Sequence, residues 1–158
     1  MILSQHGYHY FPDKSGALKE FHRLLTPGGR IGFSVWDGHS AYTHALCAAI
    51  ERHISPEVAA RQRSQRQTPS ADVLKEQVTH AGFSDVRVHR QELLIDVPKP
   101  SEFVPLHLAS MPIAGAFLAL SKDAQADLIA DVATALADCM QEDRLIYPDA
   151  VHVAIGYK

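Results

Sequence analysis

Two patterns of apolar spacing organise this chain. From Ala17 to Leu25 the apolar residues Ala17, Leu18, Phe21, Leu24 and Leu25 recur at helical spacing and form one stripe. From Arg30 to Trp36 the chain alternates instead, with Ile31, Phe33 and Val35 on one face and Gly32, Ser34 and Trp36 on the other. Between them Pro27-Gly28-Gly29 stops the helix, because glycine takes the left-handed cap without a steric cost. This is one helix-then-strand unit of a layered α/β sheet, and the strand is apolar enough to be covered on both sides. Met1 to Gln5 reads as the end of a buried strand, and His6 to Asp13 as a loop with Asp13 or Ser15 as helix cap.

The same reasoning carries through the rest of the chain. Ser40 caps a helix over about Ala41 to His53. Ser55 to Thr68 is a polar, Arg/Gln-rich loop with some helix. Ser70 to His80 is a short helix with Val73, Leu74, Gln77 and Val78 inward, stopped by Gly82. Phe83 to Val97 is a long strand or a bent strand pair, ended by Pro98 and Pro100. Ser101 to Leu120 is apolar and broken by Pro105, Pro112 and Gly115, which predicts two short helices. Ser121 caps a helix to about Met140, with Asp123, Asp127, Asp131, Thr134 and Asp138 on the wet face and Leu128, Val132 and Leu136 inward. Leu145 to Tyr157 is the last strand, alternating Val151, Val153, Ile155 and Tyr157 against His152, Ala154 and Gly156.

Composition narrows the function classes. The chain has 158 residues, 46% hydrophobic and 21% charged, which fits a single globular domain, residues 1–158, with its own core. A net charge of −3 gives no reason to expect a nucleic-acid partner or an anionic membrane. No apolar run approaches the ~20 residues of a membrane span, and the N-terminus lacks the pattern of a signal peptide. Cys47 and Cys139 form no CxxC pair, so a reducing, cytoplasmic setting is expected. His6 and His9 make an HxxH, but on an extended chain that spacing sends the rings to opposite faces, and no metal site is expected. The basic cluster Arg61, Arg63 and Arg66 reads as a solvated loop, with an anionic substrate site as the alternative. Neither a GxSxG nucleophile turn nor a GxxxxGK[ST] phosphate loop occurs.

In order and at matching spacing, Phe11-Pro12-Asp13, Ala17-Leu18, Glu20, Arg23-Leu24-Leu25, Pro27-Gly28-Gly29-Arg30 and Trp36 resemble the middle of class I S-adenosylmethionine-dependent methyltransferases. The likeness is to the small-molecule branch related to ubiquinone and menaquinone biosynthesis. Ala81-Gly82-Phe83 with Val86 and Val88, Pro100-Ser101-Glu102-Phe103 and the last strand continue it. The resemblance implies an α/β fold: a partial Rossmann-like sheet equivalent to strands four to seven, with a helical lid insert over about 101–140, lacking the first three strands.

It also implies S-adenosylmethionine as cofactor, contacted at Ser4, Gln5 and His6 where the fourth strand ends, and a small-molecule acceptor beside Tyr8, His9 and Trp36. Open α/β sheets bind ligands at the carboxyl ends of their strands. The family's glycine-rich turn after the first strand is absent, since the glycines stand at 7, 16, 28, 29, 32, 38, 82, 115 and 156. The expectation is therefore a methyltransferase-like chain that is not active alone. The alternative is a non-catalytic ligand-binding or dimerisation module derived from that fold. With no strand before it, Met1 to Gln5 becomes a sheet edge, and a homodimer or swapped assembly through that edge is expected.

Overall fold

The computed structural model describes all residues from Met1 to Lys158. Its strands are β1 (Ile2–Gln5), β2 (Arg30–Trp36), β3 (Ser84–Pro98), β4 (Met140–Gln141) and β5 (Arg144–Tyr157). Its helices are α1 (Lys14–Leu24), α2 (Ala41–His53), α3 (Pro56–Ser64), α4 (Ala71–His80), α5 (Pro100–Ala109), α6 (Ala114–Leu118) and α7 (Lys122–Ala135). Short 3₁₀ turns occupy Tyr8–Tyr10 and Ala137–Cys139. The architecture is α/β, with a sheet in the order β1-β2-β5-β3 and β4 attached to β5. β1 and β2 are parallel and joined through α1; β5 runs antiparallel to β2. β1 has a strand neighbour on one side only.

The chain's contacts fall into two compact units. One comprises Met1–Gly38, Gln65–Leu93 and Ala150–Lys158; the other comprises His39–Ser64 and Leu94–Asp149. In the first unit α1 and α4 lie on one face of the sheet. Leu18, Leu74 and Val78 pack there against Ile31, Phe33, Val35 and Ala154. Gly156 also belongs to this face, where an added Cβ would meet Phe83 Cβ at 3.0 Å and Val78 Cγ1 at 3.1 Å. The Asp13 side chain caps α1 by accepting from Gly16 N at 2.8 Å. Gly28, at φ 74°, makes the left-handed turn from α1 into β2.

The second unit is mainly helical. α2 and α7 bury Leu46, Ile50, Leu128 and Val132 in one cluster with Val104 and Leu108 of α5 and Leu145 and Tyr147 of β5. Tyr42 stacks on Tyr147 with centroids 5.5 Å apart, and its hydroxyl lies 2.7 Å from His107 Nδ1. α7 stops at Ala135, earlier than its apolar spacing predicts, and the Ala137–Cys139 turn completes the segment. Pro105 sits inside α5 instead of ending it.

Three expectations are corrected by exposure. Met1 to Gln5, expected as the end of a buried strand, has no fully buried residue and leaves Leu3 69% exposed. β2 is covered on one face only. Ile31, Phe33 and Val35 are buried, while Gly32, Ser34 and Trp36 are half-buried. β5 follows suit: His152, Ala154 and Gly156 are buried, and the larger Val153, Ile155 and Tyr157 are half-exposed. Val73, expected inward on α4, is 42% exposed, because Leu74 and Val78 take the sheet-facing stripe.

Candidate functional site at the ends of the parallel strands

β1 and β2 end side by side, with Gln5 in register with Ser34. The chain leaves β1 through His6, whose left-handed backbone (φ 51°) turns the next residues across the strand ends. His6 N donates to Ser34 O at 3.2 Å, which fixes the turn to β2. The His6 ring then stacks on Trp36, with centroids 4.2 Å apart and planes 22° from parallel. The Arg66 guanidinium lies over the same indole, 4.0 Å from its centroid, a cation–π contact. Arg66 Nε donates to Gly38 O at 3.1 Å, and the Thr68 hydroxyl donates to Trp36 O. The loop that reads as solvated therefore closes on the end of β2. Sequence reasoning names Arg66 only as a member of the basic cluster and favours a solvated loop for it; its place over Trp36 depends on how the loop folds back.

His9 follows in the 3₁₀ turn, its ring centroid 4.1 Å from that of Tyr10 and 6.5 Å from that of His6. The turn replaces the extended chain on which the two rings would point apart. The His9 Nδ1 atom is buried and has no hydrogen-bond partner. Burial lowers the pKa of His9 first of all, and the charges of His6, Lys14 and Arg66 lower it further. The surroundings of His9 are thus cationic as well as aromatic.

Tyr8 goes elsewhere. It is 1% exposed, its ring centroid is 4.5 Å from that of Phe33, and its hydroxyl donates to Gln77 Oε1 at 2.9 Å. Burial pushes its phenol up to about 12. Ser4 is half-buried and Gln5 is exposed, both at the rim of a hollow on the open sheet face. The structure thus brings His6, His9 and Trp36 together, leaves Ser4 and Gln5 beside them on β1, and sets Tyr8 in the core.

Next to Trp36, Asp37 accepts from Arg90 Nε at 2.6 Å. Its other carboxylate oxygen lies 3.6 Å from Nε2 of the buried His152. The one carboxylate at the end of β2 is therefore already engaged. A sulfonium nucleoside needs an acceptor for its ribose hydroxyls and a backbone approach free of side chains. Ser4, Gln5 and His6 provide neither a carboxylate nor a glycine turn, so they do not by themselves fit the whole group.

No family model matches the chain, and no curated protein matches it. Among solved structures it is similar to phosphoethanolamine N-methyltransferase 2 of Haemonchus contortus in complex with S-adenosyl-L-methionine, at 16% identity and a TM-score of 0.47, over 99% of this chain and 32% of that one. It is also similar to the YcgJ protein of Bacillus subtilis, at 13% identity and a TM-score of 0.49, over 99% of this chain and 63% of that one. The chain thus spans a third to somewhat under two thirds of these proteins' lengths.

Proposed function

We propose that this chain is the rear portion of a class I methyltransferase-type fold serving a small-molecule acceptor, equivalent to strands four to seven, and that it does not transfer a methyl group alone. The reading rests on the ordered sequence words from Phe11 to Trp36. The single structural observation that carries it is the His6–Trp36–Arg66 stack, which builds an aromatic and cationic platform at the carboxyl ends of two parallel strands. In this reading Ser4, Gln5 and His6 contribute one side of an S-adenosylmethionine site. His9 and Trp36 face the acceptor, while Tyr8 supports them from the core. The missing ribose acceptor and glycine turn come from outside these residues, and no chemical step is derived from this chain alone. The helical segment 101–140 belongs to the lid side of the fold, within one domain. A cytoplasmic setting suits two cysteines, Cys47 and Cys139, that stand far apart in sequence and form no CxxC pair, and no helix is long and apolar enough to cross a membrane. The β1 edge is where an assembly forms, by pairing with a second copy or by exchange of strands.

A second reading has its own support. The absent cradle and the engaged Asp37 equally suit a non-catalytic ligand-binding or dimerisation module. Titration calorimetry with S-adenosylmethionine, paired with the fluorescence of Trp36, the one tryptophan of the chain, tests both. Weak or undetectable binding by the isolated chain is expected. Tight one-to-one binding would show that the donor site is complete and overturn the proposal.

A further inference from the structure

We propose that the corner formed by His9, Lys14 and Arg66, beside the Trp36 stack, binds an oxyanion, a carboxylate or a phosphate ester, and that the small-molecule acceptor is therefore an acid. The inference rests on the reading above, in which the acceptor lies beside His9 and Trp36, and deepens it by naming the acceptor's charge class.

Three separate segments supply the groups. His9 lies in the 3₁₀ turn after β1, Lys14 is the first residue of α1, and Arg66 belongs to the loop after α3. Arg66 is held in place by its contact over Trp36 and by the bond from Nε to Gly38 O. Lys14 forms no ion pair. Its Nζ donates to Phe11 O at 3.2 Å, which leaves two further ammonium protons for a ligand. Both ring nitrogens of His9 are unengaged. Nδ1 is enclosed without a partner, while Nε2 is not enclosed and makes no hydrogen bond within the chain.

Aromatic rings alone do not set the sign of a ligand, and Trp36 and Tyr10 could in principle hold an onium group. The charges decide against one. The indole of Trp36 already carries the Arg66 guanidinium, 4.0 Å from its centroid. Burial and then the charges of His6, Lys14 and Arg66 oppose a proton on His9, and no carboxylate acts on it in the other direction. Two acids nearby in sequence are turned to other partners. Asp13 accepts from Gly16 N at the start of α1, and Asp37 accepts from Arg90 Nε. A cationic ligand would add one more positive charge to this corner. An oxyanion instead gains Lys14 Nζ and His9 Nε2 as donors.

Because His9 is one of the donors, the ligand and a proton bind together. A negative charge beside an imidazole favours its charged form, so a bound oxyanion raises the His9 midpoint by about one pH unit. Linkage works in both directions. Protein with His9 protonated therefore binds the oxyanion about tenfold more tightly than protein with His9 neutral. The groups that face His9 and share in this balance are His6 after β1, Tyr10 in the same turn, Lys14 on α1 and Arg66 in the loop.

Proton NMR of the His9 ring in the full chain tests this, with the resonance identified by its loss in His9→Gln. The probes are sulfate, which stands for a phosphate ester and keeps its charge across neutral pH, and acetate, which stands for a carboxylate. Each is compared with chloride at the same ionic strength, so that screening is equal. A saturable rise of the His9 midpoint with one of the probes is expected, and the tighter probe names the group. Lys14→Gln is expected to weaken that probe at least about tenfold, as loss of a hydrogen bond from a charged donor does. No rise beyond that in chloride with either probe overturns the proposal, and this result needs no variant to fold. A rise that Lys14→Gln leaves unchanged also overturns it. S-adenosylmethionine takes no part in the titration, so its outcome is separate from the calorimetry that tests the donor site.

Discussion

The Tyr8 hydroxyl donates to Gln77 Oε1 at 2.9 Å, tying the turn after β1 to α4 across 69 residues of sequence. This bond lies beneath the candidate site and holds the turn that carries His6 and His9. Tyr8→Phe removes it and leaves the Gln77 amide with one partner fewer, at a cost of about 1 kcal/mol. Tyr8→Ala adds a cavity beside Phe33 and costs about 3–5 kcal/mol. Denaturant unfolding followed by circular dichroism measures both. Because burial raises the Tyr8 phenol to about 12, the native state holds the neutral form. Its share of stability is intact below the ordinary tyrosine pKa of about 10 and falls as pH rises from there toward the folded value.

His9 gives the opposite pH signature. Its folded pKa lies below the ordinary histidine value because burial and three neighbouring cationic groups oppose the proton. The unfolded chain therefore binds more protons than the native chain as pH falls below about 6.5. Stability rises with pH through that window and falls on acidification, until the native His9 is protonated as well. His9→Gln is expected to flatten the slope of melting temperature against pH between neutral and mildly acidic conditions. An unchanged slope would remove His9 from this role. Proton NMR of the ring, read against pH, locates the midpoint directly.

The helix starts were the most legible part of the chain, and the reason is local. Ser40, Ser70 and Ser121 each accept from the backbone N–H three residues on, so one side chain announces each start. The β2 span is likewise set by its alternation and by Pro27-Gly28-Gly29. What the sequence left open depends on contacts between distant residues. The alternation of β5 separates two faces but does not say which is covered; that follows from Phe83 and Val78 closing on Gly156. Likewise, Arg66 joins the site only because the loop after α3 returns to Gly38 and Trp36. His6 and Trp36 were readable on adjacent sides of one site, because His6 follows β1 and Trp36 ends the parallel β2.

Gly28 separates backbone cost from crowding. Its φ is 74°, and nothing lies within 4 Å of an added Cβ. Gly28→Ala therefore costs about 1–2 kcal/mol through the left-handed backbone alone. Gly28→Asn, which tolerates that conformation better, is expected to cost less than the alanine variant. Thermal melts of the pair test the order. Equal losses would mean that the α1–β2 turn rearranges.

Asp131 was expected on the wet face of α7, yet it receives two donors from α2. His53 Nε2 stands 2.7 Å and Arg52 Nη1 2.8 Å from the same carboxylate oxygen. The hydrogen bond from His53, reinforced by the Arg52 charge, holds the carboxyl below its ordinary range. His53 is the more enclosed donor, its side chain 17% exposed against 72% for Arg52. Exposed ion pairs contribute little, since water screens them and the side chains lose freedom. The expected order of destabilisation is therefore Asp131→Asn first, His53→Gln next and Arg52→Gln least, read as melting temperature at neutral pH. The sign with pH follows from the depressed pKa. The stabilisation from Asp131 is present above the unfolded carboxylate pKa of about 3.9 and is lost as pH falls through the lower folded value. The gap between wild type and Asp131→Asn should thus narrow on acidification. A gap that widens instead would assign the loss to packing between α2 and α7, not to charge.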